Sequence, residues 1–137
     1  MFSLSAQPLE GVDIARDLRP REAGACVTFA GRVRSPNRGR DVLQLEYDAA
    51  EEPCRREFAR IVEELRQNFG VIDVACAHRT GVVRAGEIAV LIAVTSVHRG
   101  AAFGACQYVI DELKKRLPIW KKEHYADGQS EWVGGNP

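Results

Sequence analysis

Along the chain the apolar residues switch between a period of two and a period near 3.6, and the switches divide it into strands and helices. Phe2, Leu4 and Ala6 alternate with polar neighbours and predict a short opening strand. Pro8 to Leu18 holds a short amphipathic segment, with Val12, Ile14 and Leu18 apolar, and Pro20 closes it. From Gly24 to Arg34 the alternation returns, with Val27 and Phe29 on one face. That strand runs into Arg32-Val33-Arg34-Ser35-Pro36-Asn37-Arg38-Gly39-Arg40, which carries turn residues and four arginines but no acid. Val42 to Tyr47 is expected as the return strand, so that the arginines decorate a hairpin-like loop.

Glu51 to Phe69 takes the helical period. Phe58, Ile61, Val62, Leu65 and Phe69 share one face, with Glu and Arg opposite. Pro53 suits the first turn and Gly70 the C-terminal cap. Val71 to His78 is a further strand, followed by a connection from Arg79-Thr80-Gly81 to Ala85-Gly86. Glu87 to Val97 is apolar at nearly every position from Ile88 to Val94, the pattern of a strand covered on both faces. Ala101 to Leu117 predicts the second helix, with Phe103, Cys106, Ile110, Leu113 and Leu117 along one stripe and Ala102 and Val109 beside it; Pro118 stops it. Residues from His124 to Pro137, Gly-rich and polar apart from Trp132, are expected as a flexible tail. Together these elements predict one α+β domain over residues 1–137, a largely antiparallel or mixed sheet with two main helices packed on it.

Composition narrows the chemistry more than the fold. Basic and acidic side chains number 19 each, so anion binding must come from local clustering and not from an overall field. No apolar run is long enough to span a bilayer, and Met1-Phe2-Ser3-Leu4 lacks the pattern of a signal peptide, which makes a cytoplasmic protein the default. Cys26, Cys54, Cys76 and Cys106 form no CxxC pair and no zinc-ligand spacing; they are expected as small, reduced, buried core residues. No motif calls for a metal ion or a bound cofactor.

Only four of the 19 basic residues are lysines, and all four lie between positions 114 and 122. A guanidinium stays protonated, whereas a buried or crowded lysine amine can lose its proton and act as nucleophile or base. The plain alternative is a solvated basic helix end. His98-Arg99 stands between the most buried strand and the second helix, where free backbone N–H groups favour anions and Arg99 can grip phosphate or carboxylate bidentately. For His98 a structural, hydrogen-bonded role is the alternative, and for His78 and His124 it is the only reading the residues support. A helix over 101–117 is about 25 Å long. Lys114 and His98-Arg99 therefore stand at opposite ends, and a second chain of a dimer, or the segment after Pro118, has to close the gap.

The ordered set of motifs is specific. Gly24-Ala25, Phe29-Ala30-Gly31-Arg32-Val33-Arg34 with Asn37 and Gly39, Leu45-Glu46-Tyr47, His78-Arg79-x-Gly81 and Gly86-Glu87 resemble the large subunit of molybdopterin synthase. So do Val94-Thr95-Ser96-x-His98-Arg99-x-x-Ala102-Phe103, Asp111-x-Leu113-Lys114 and Pro118-Ile119-Trp120-Lys121-Lys122-Glu123 with Trp132. The resemblance covers nearly the whole chain. It implies an α/β hammerhead-type fold with an added antiparallel β subdomain. The implied activity converts cyclic pyranopterin monophosphate into molybdopterin by installing two sulfurs as a dithiolene. The implied partners are a small ubiquitin-like subunit, which brings sulfur as a C-terminal thiocarboxylate, and a second copy of the chain at the core of a heterotetramer.

Matched by motif, the resemblance makes Lys114 and Lys121 the catalytic pair. Lys114 sits nearest the partner's terminal glycine, and Lys121 acts beside it as electrostatic stabiliser or proton donor. Arg34, His98 and Arg99 hold the phosphate and pterin, Arg32 and Val33 flank them, and Lys122 and Glu123 complete the segment after Trp120. Lys115 matches no functional position. The chain departs from the family pattern at Asp48-Ala49-Ala50 and at Ser35-Pro36-Asn37. Its end, Gly134-Gly135-Asn136-Pro137, places two residues after the Gly-Gly that a sulfur carrier needs last, so the small subunit is expected as a separate chain. A competing expectation is an anion- or nucleic-acid-binding module built on the Arg32 to Arg40 loop and the Lys114 to Lys122 stretch, and a third is an enzyme that forms a Schiff base on one of these lysines. Zero net charge and the lack of basic–aromatic interleaving speak against nucleic acid.

Overall fold

The computed structural model describes residues 1–133 and divides its strands between two sheets. In chain order the elements are β1 (Phe2–Ser5), β2 (Ala25–Arg32), β3 (Val42–Ala49), α1 (Glu51–Phe69), β4 (Asp73–Arg79), β5 (Gly81–Arg84), β6 (Ile88–Ser96), α2 (Arg99–Arg116), β7 (Ile119–Tyr125) and β8 (Ser130–Val133). The first sheet runs β1-β4-β6-β2, with β1 parallel to β4 and the other pairs antiparallel. The second runs β5-β3-β7-β8 and is antiparallel throughout. This is the expected α+β arrangement, with an added antiparallel subdomain.

Strand alternation explains why β4 and β6 read as apolar on both faces. Val74 and Cys76 of β4, with Ile92 and Val94 of β6, join Phe58, Ile61 and Leu65 of α1 and Val109 and Leu113 of α2 in the main core. The intervening residues face the other way. Ala75 and Ala93 pack under Leu18, while Ala77 and Leu91 pack under Leu9. The opposite face of the first sheet is thus covered by the segment after β1. That segment is a run of turns, and of its apolar residues Val12 faces solvent while Leu9 and Leu18 go inward. In α1 the predicted face is the buried one, and Gly70 ends the helix at φ 67°, a left-handed conformation that suits glycine.

Four expectations change. First, β2 and β3 do not form a hairpin, because they belong to different sheets. Val33 leaves β2 bonded to the other end of β6's approach, its N–H donating to the Glu87 carbonyl (2.9 Å) and its carbonyl accepting from Gly86 (2.7 Å). The crossover then closes a tight turn of its own at Asn37–Arg40, with Arg38 (φ 52°) and Gly39 (φ 76°) both left-handed. Second, the connection after Arg79 contains β5, and the supposed tail contains the end of β7 and all of β8. Period-two patterns four residues long are too short to stand out from turns; the Gly134-Gly135-Asn136-Pro137 end lies outside the described residues. Third, Phe103 is 62% exposed, not buried on the α2 stripe, since Ala102, Ala105, Cys106 and Val109 turn the core face of the helix away from it. Fourth, Cys26 is exposed on β2, whereas the other three cysteines are buried; all four are free. No helix among the described residues is long and apolar enough to cross a membrane.

Candidate functional site

A cavity of about 380 Å³ lies where the two sheets meet the C-terminal end of α2. The first sheet supplies its floor. Register aligns His78 of β4 with Val90 of β6 and Val90 with Gly31 of β2, and all three line the cavity. Gly31 has to be glycine here: a Cβ would come 2.7 Å from Val90 Cγ1. Directly after it the ladder slips, with Arg32 opposite Ile88. Such a bulge re-aims the side chain that follows it, and Arg32 lines the cavity.

The second sheet supplies the opposite wall. Lys121 and Glu123 are two residues apart on β7 and share its inner face, opposite Tyr47 and Leu45 of β3. The same alternation puts Lys122 on the outer face, paired with Glu46 and 5.8 Å from the centre of the Trp132 ring. Lys122 is therefore not among the lining residues. The helix adds Ile110, Leu113 and Lys114 at helical spacing. Arg116 clamps this last turn to α1, with Nε donating to Glu57 (2.7 Å) and its two Nη groups donating to Glu64 (2.7 and 2.9 Å). The turn into β7 is tied down where the Ala50 N–H donates to the Pro118 carbonyl (3.1 Å). Two lysines from different elements are thus held at one cavity.

The wall is cationic. Arg32, Arg34, Lys114 and Lys121 face a single carboxylate, Glu123. Burial holds the Lys121 amine below the ordinary lysine value; the Lys114 cation lowers it further, Glu123 opposes, and Arg34 and Arg38 add to the lowering. Lys121 is therefore the more easily deprotonated kind of lysine that a proton-transfer role needs. Glu123 is buried and anchored. Asn37 Nδ2 donates to both of its oxygens (3.3 and 3.2 Å), while the Tyr125 hydroxyl, 3.4 Å from one of them, donates to the nearer Glu131 (2.9 Å). Asn37 Oδ1 accepts in turn from Arg34 Nη2 (3.1 Å), so one amide fixes a cation and an anion of the same wall. Arg40, by contrast, lies 3.4 Å over the Tyr125 ring and donates to Asp127 and Gln129. The crossover is not a free basic patch, which removes much of the basis for a nucleic-acid module.

Of the residues singled out in the sequence, Arg32, Val33, Arg34, Lys114, Lys121 and Glu123 line the cavity. Val33 does so as part of the second sheet's core, with Leu45 and Val83. His98 and Arg99 do not: they are exposed at the opposite end of α2, about 23 Å from Lys114 along its axis. Lys115 pairs with Glu112 on the helix surface (3.5 Å). Sequence reasoning missed His78, Tyr47 and Asn37 as site residues. Asn37 looked like turn chemistry and His78 like a core residue, and only the register of two sheets brings them to one place.

A family model described as MoaE protein matches residues 4–116. A molybdopterin synthase catalytic subunit of Thermoplasma volcanium is 36% identical over 129 residues, covering 94% of this chain and 94% of that protein. The corresponding protein of Bacillus subtilis is 40% identical over 133 residues, covering 97% of this chain and 84% of its own length. Among solved structures, molybdopterin synthase from Staphylococcus aureus superposes with a TM-score of 0.87 at 35% identity, covering 96% of this chain and 95% of that one. Fold and sequence agree, and the chain belongs to the MoaE protein family.

Proposed function

We propose that this chain is the catalytic subunit of a molybdopterin synthase, a cytoplasmic sulfurtransferase. Its substrate is cyclic pyranopterin monophosphate, and its partner is a small ubiquitin-like subunit ending in a glycine thiocarboxylate. The observation that carries this reading is the convergence of Lys114 and Lys121, from α2 and β7, on one cationic cavity in a chain of this family. The thiocarboxylate sulfur bonds to a side-chain carbon of the pterin as that carbon's bond to oxygen breaks, the oxygen leaving with the phosphate or as water. Water then adds to the acyl carbon, the acyl carbon–sulfur bond breaks, sulfur stays with the pterin as a thiolate, and the glycine departs as a carboxylate. The acyl carbon passes through a tetrahedral oxyanion, which the Lys114 ammonium stabilises. Lys121, with its lowered proton affinity, supplies the proton transfer beside it. Arg34 and Arg32 hold the phosphate, and Glu123, fixed by Asn37, keeps the amine end of Lys121 oriented.

His98 and Arg99 enter through a second copy. β2 is a terminal strand of the first sheet, so one side of its backbone is unpaired. It carries no charge before Arg32 and exposes Cys26 and Phe29, so the bulge and charge that keep edges apart are confined to its Arg32 end. A two-fold pairing along this edge is antiparallel and sets each Ala25 end beside the other Arg32 end. Ala25 lies opposite Ser96, two residues before His98. The pairing thus brings His98 and Arg99 of the partner subunit to this cavity as phosphate and pterin donors.

The test is reconstitution. The chain is mixed with thiocarboxylated small subunit and cyclic pyranopterin monophosphate, and dithiolene product is measured. Product at the expense of one thiocarboxylate per sulfur transferred is expected. Absence of product, with both partners shown to bind, contradicts the reading.

A further inference from the structure

His78 lines the cavity and has no part in the chemistry above. Its ring is held in a fixed direction. Nδ1 lies 2.8 Å from the Arg79 carbonyl oxygen, which can only accept, so Nδ1 carries the proton. The ring meets Tyr47 edge-on, with centroids 4.9 Å apart and planes at 79°. Nε2 is left with a lone pair and no hydrogen-bond partner among the described residues, although the residue is only 6% exposed. Burial is the main reason that the imidazole's proton affinity falls to about 4, and the Lys121 cation adds to it against the Arg79 hydrogen bond. At neutral pH the ring adds no charge to the wall and is too weak a base to keep a proton.

The rest of the cavity makes this lone pair distinctive. Arg32, Arg34, Lys114 and Lys121 bring positive charge and donors. Glu123 can accept, but both of its oxygens are already held by the Asn37 amide. The Tyr47 phenol, pushed up to about 12 by burial and Glu123, keeps its proton. A phosphate needs none of these acceptors, whereas a heterocycle with N–H groups along its edge does. We infer that His78 Nε2 is a ligand-binding acceptor that takes a hydrogen bond from a ring or exocyclic N–H of the pterin while the cationic wall holds the phosphate. The inference rests on the substrate class proposed above and adds the residue that reads its heterocycle.

Two variants and one spectroscopic measurement test it. Calorimetry first establishes that the wild-type protein binds cyclic pyranopterin monophosphate; failure at that stage overturns the substrate reading, and the role of His78 with it. His78→Phe keeps a ring against Tyr47 and removes the acceptor. It should bind the pterin about tenfold more weakly or worse, the loss of one hydrogen bond, with unchanged affinity for the small subunit. His78→Gln restores an acceptor near the Nε2 position and should return to within about threefold of wild type. Wild-type affinity in His78→Phe overturns the inference, as does an equal loss in both variants, which marks a structural role. Should His78→Phe fail to fold, the wild-type protein still decides. With three histidines in the chain, the Nε2 nitrogen resonance of His78 is assignable. It should move upfield, toward the hydrogen-bonded position, when pterin is added, and no movement overturns the inference.

Discussion

The two ends of α2 are built for different surroundings. At the C-terminal end Lys114 faces a cavity, Lys121 stands across from it, and Arg116 fixes the turn to α1 through Glu57 and Glu64. At the N-terminal end His98 and Arg99 are exposed, the cap residue His98 makes no side-chain capping bond, and no wall faces them. One end is walled within a single chain and the other is exposed. The sheet order supplies the reason. β2 runs alongside α2 from one end to the other, and its outer edge is open. On the proposed function the helix carries half of a site at each end, and a two-fold axis across its middle lets each half meet the other half of a second copy.

Loss of Lys114 should have the largest effect. Lys114→Ala is expected to lower turnover by about a hundredfold or more, the scale for removing a group that stabilises an oxyanion, while its thermal melt and partner binding stay close to wild type. Near-normal turnover would remove the C-terminal end of α2 from the chemistry. Arg99→Ala at the other end should be milder and different in kind. The substrate dissociation constant is expected to rise about tenfold, as for a charge-assisted hydrogen bond, with small-subunit affinity unchanged by calorimetry. The smallest effect is a titration. The four lysines can be followed individually by nuclear magnetic resonance, and Lys121 should titrate below the ordinary 10.5. In Lys114→Ala its value should rise, because removing a neighbouring cation makes the charged form less costly, yet it should stay below 10.5 because burial is the larger cause. A Lys121 titration that ignores Lys114 would show that the two amines do not share a site.

Much of this arrangement was legible from residue order. The long elements α1, α2 and β6 follow from period alone, with Gly70 and Pro118 as stops. The lysine clustering singles out the C-terminal end of α2, with a solvated helix end as the plain alternative, and the family motifs tie Lys114 to Lys121, which line one cavity. What stayed hidden depends on which strands become neighbours. Nothing local says that β2 and β3 separate into different sheets, yet that separation opens the cavity between them. The inward direction of Lys121 and the outward direction of Lys122 depend on the register of β7 against β3. Phe103 fits the helical stripe that predicts core; its exposure follows from the small residues Ala102 and Ala105, which let α2 sit close to the sheet on the other side. His78 and Asn37 each have a common structural role, and only three-dimensional proximity to Lys121 and Glu123 marks them as more.

Mixed dimers test the two-ended site most directly. Lys114→Ala chains and His98→Ala/Arg99→Ala chains are each assayed alone and then after being mixed and allowed to exchange subunits, with the small subunit and pterin present. If the site joins Lys114 of one chain to His98 and Arg99 of the partner subunit, every mixed dimer holds one fully wild-type site and one doubly damaged site. Turnover in the mixture should then rise well above that of either variant alone. If both ends of α2 serve a site within their own chain, each mixed dimer holds two singly damaged sites. The mixture would then show only the average of the two variants, which would contradict the cross-chain arrangement.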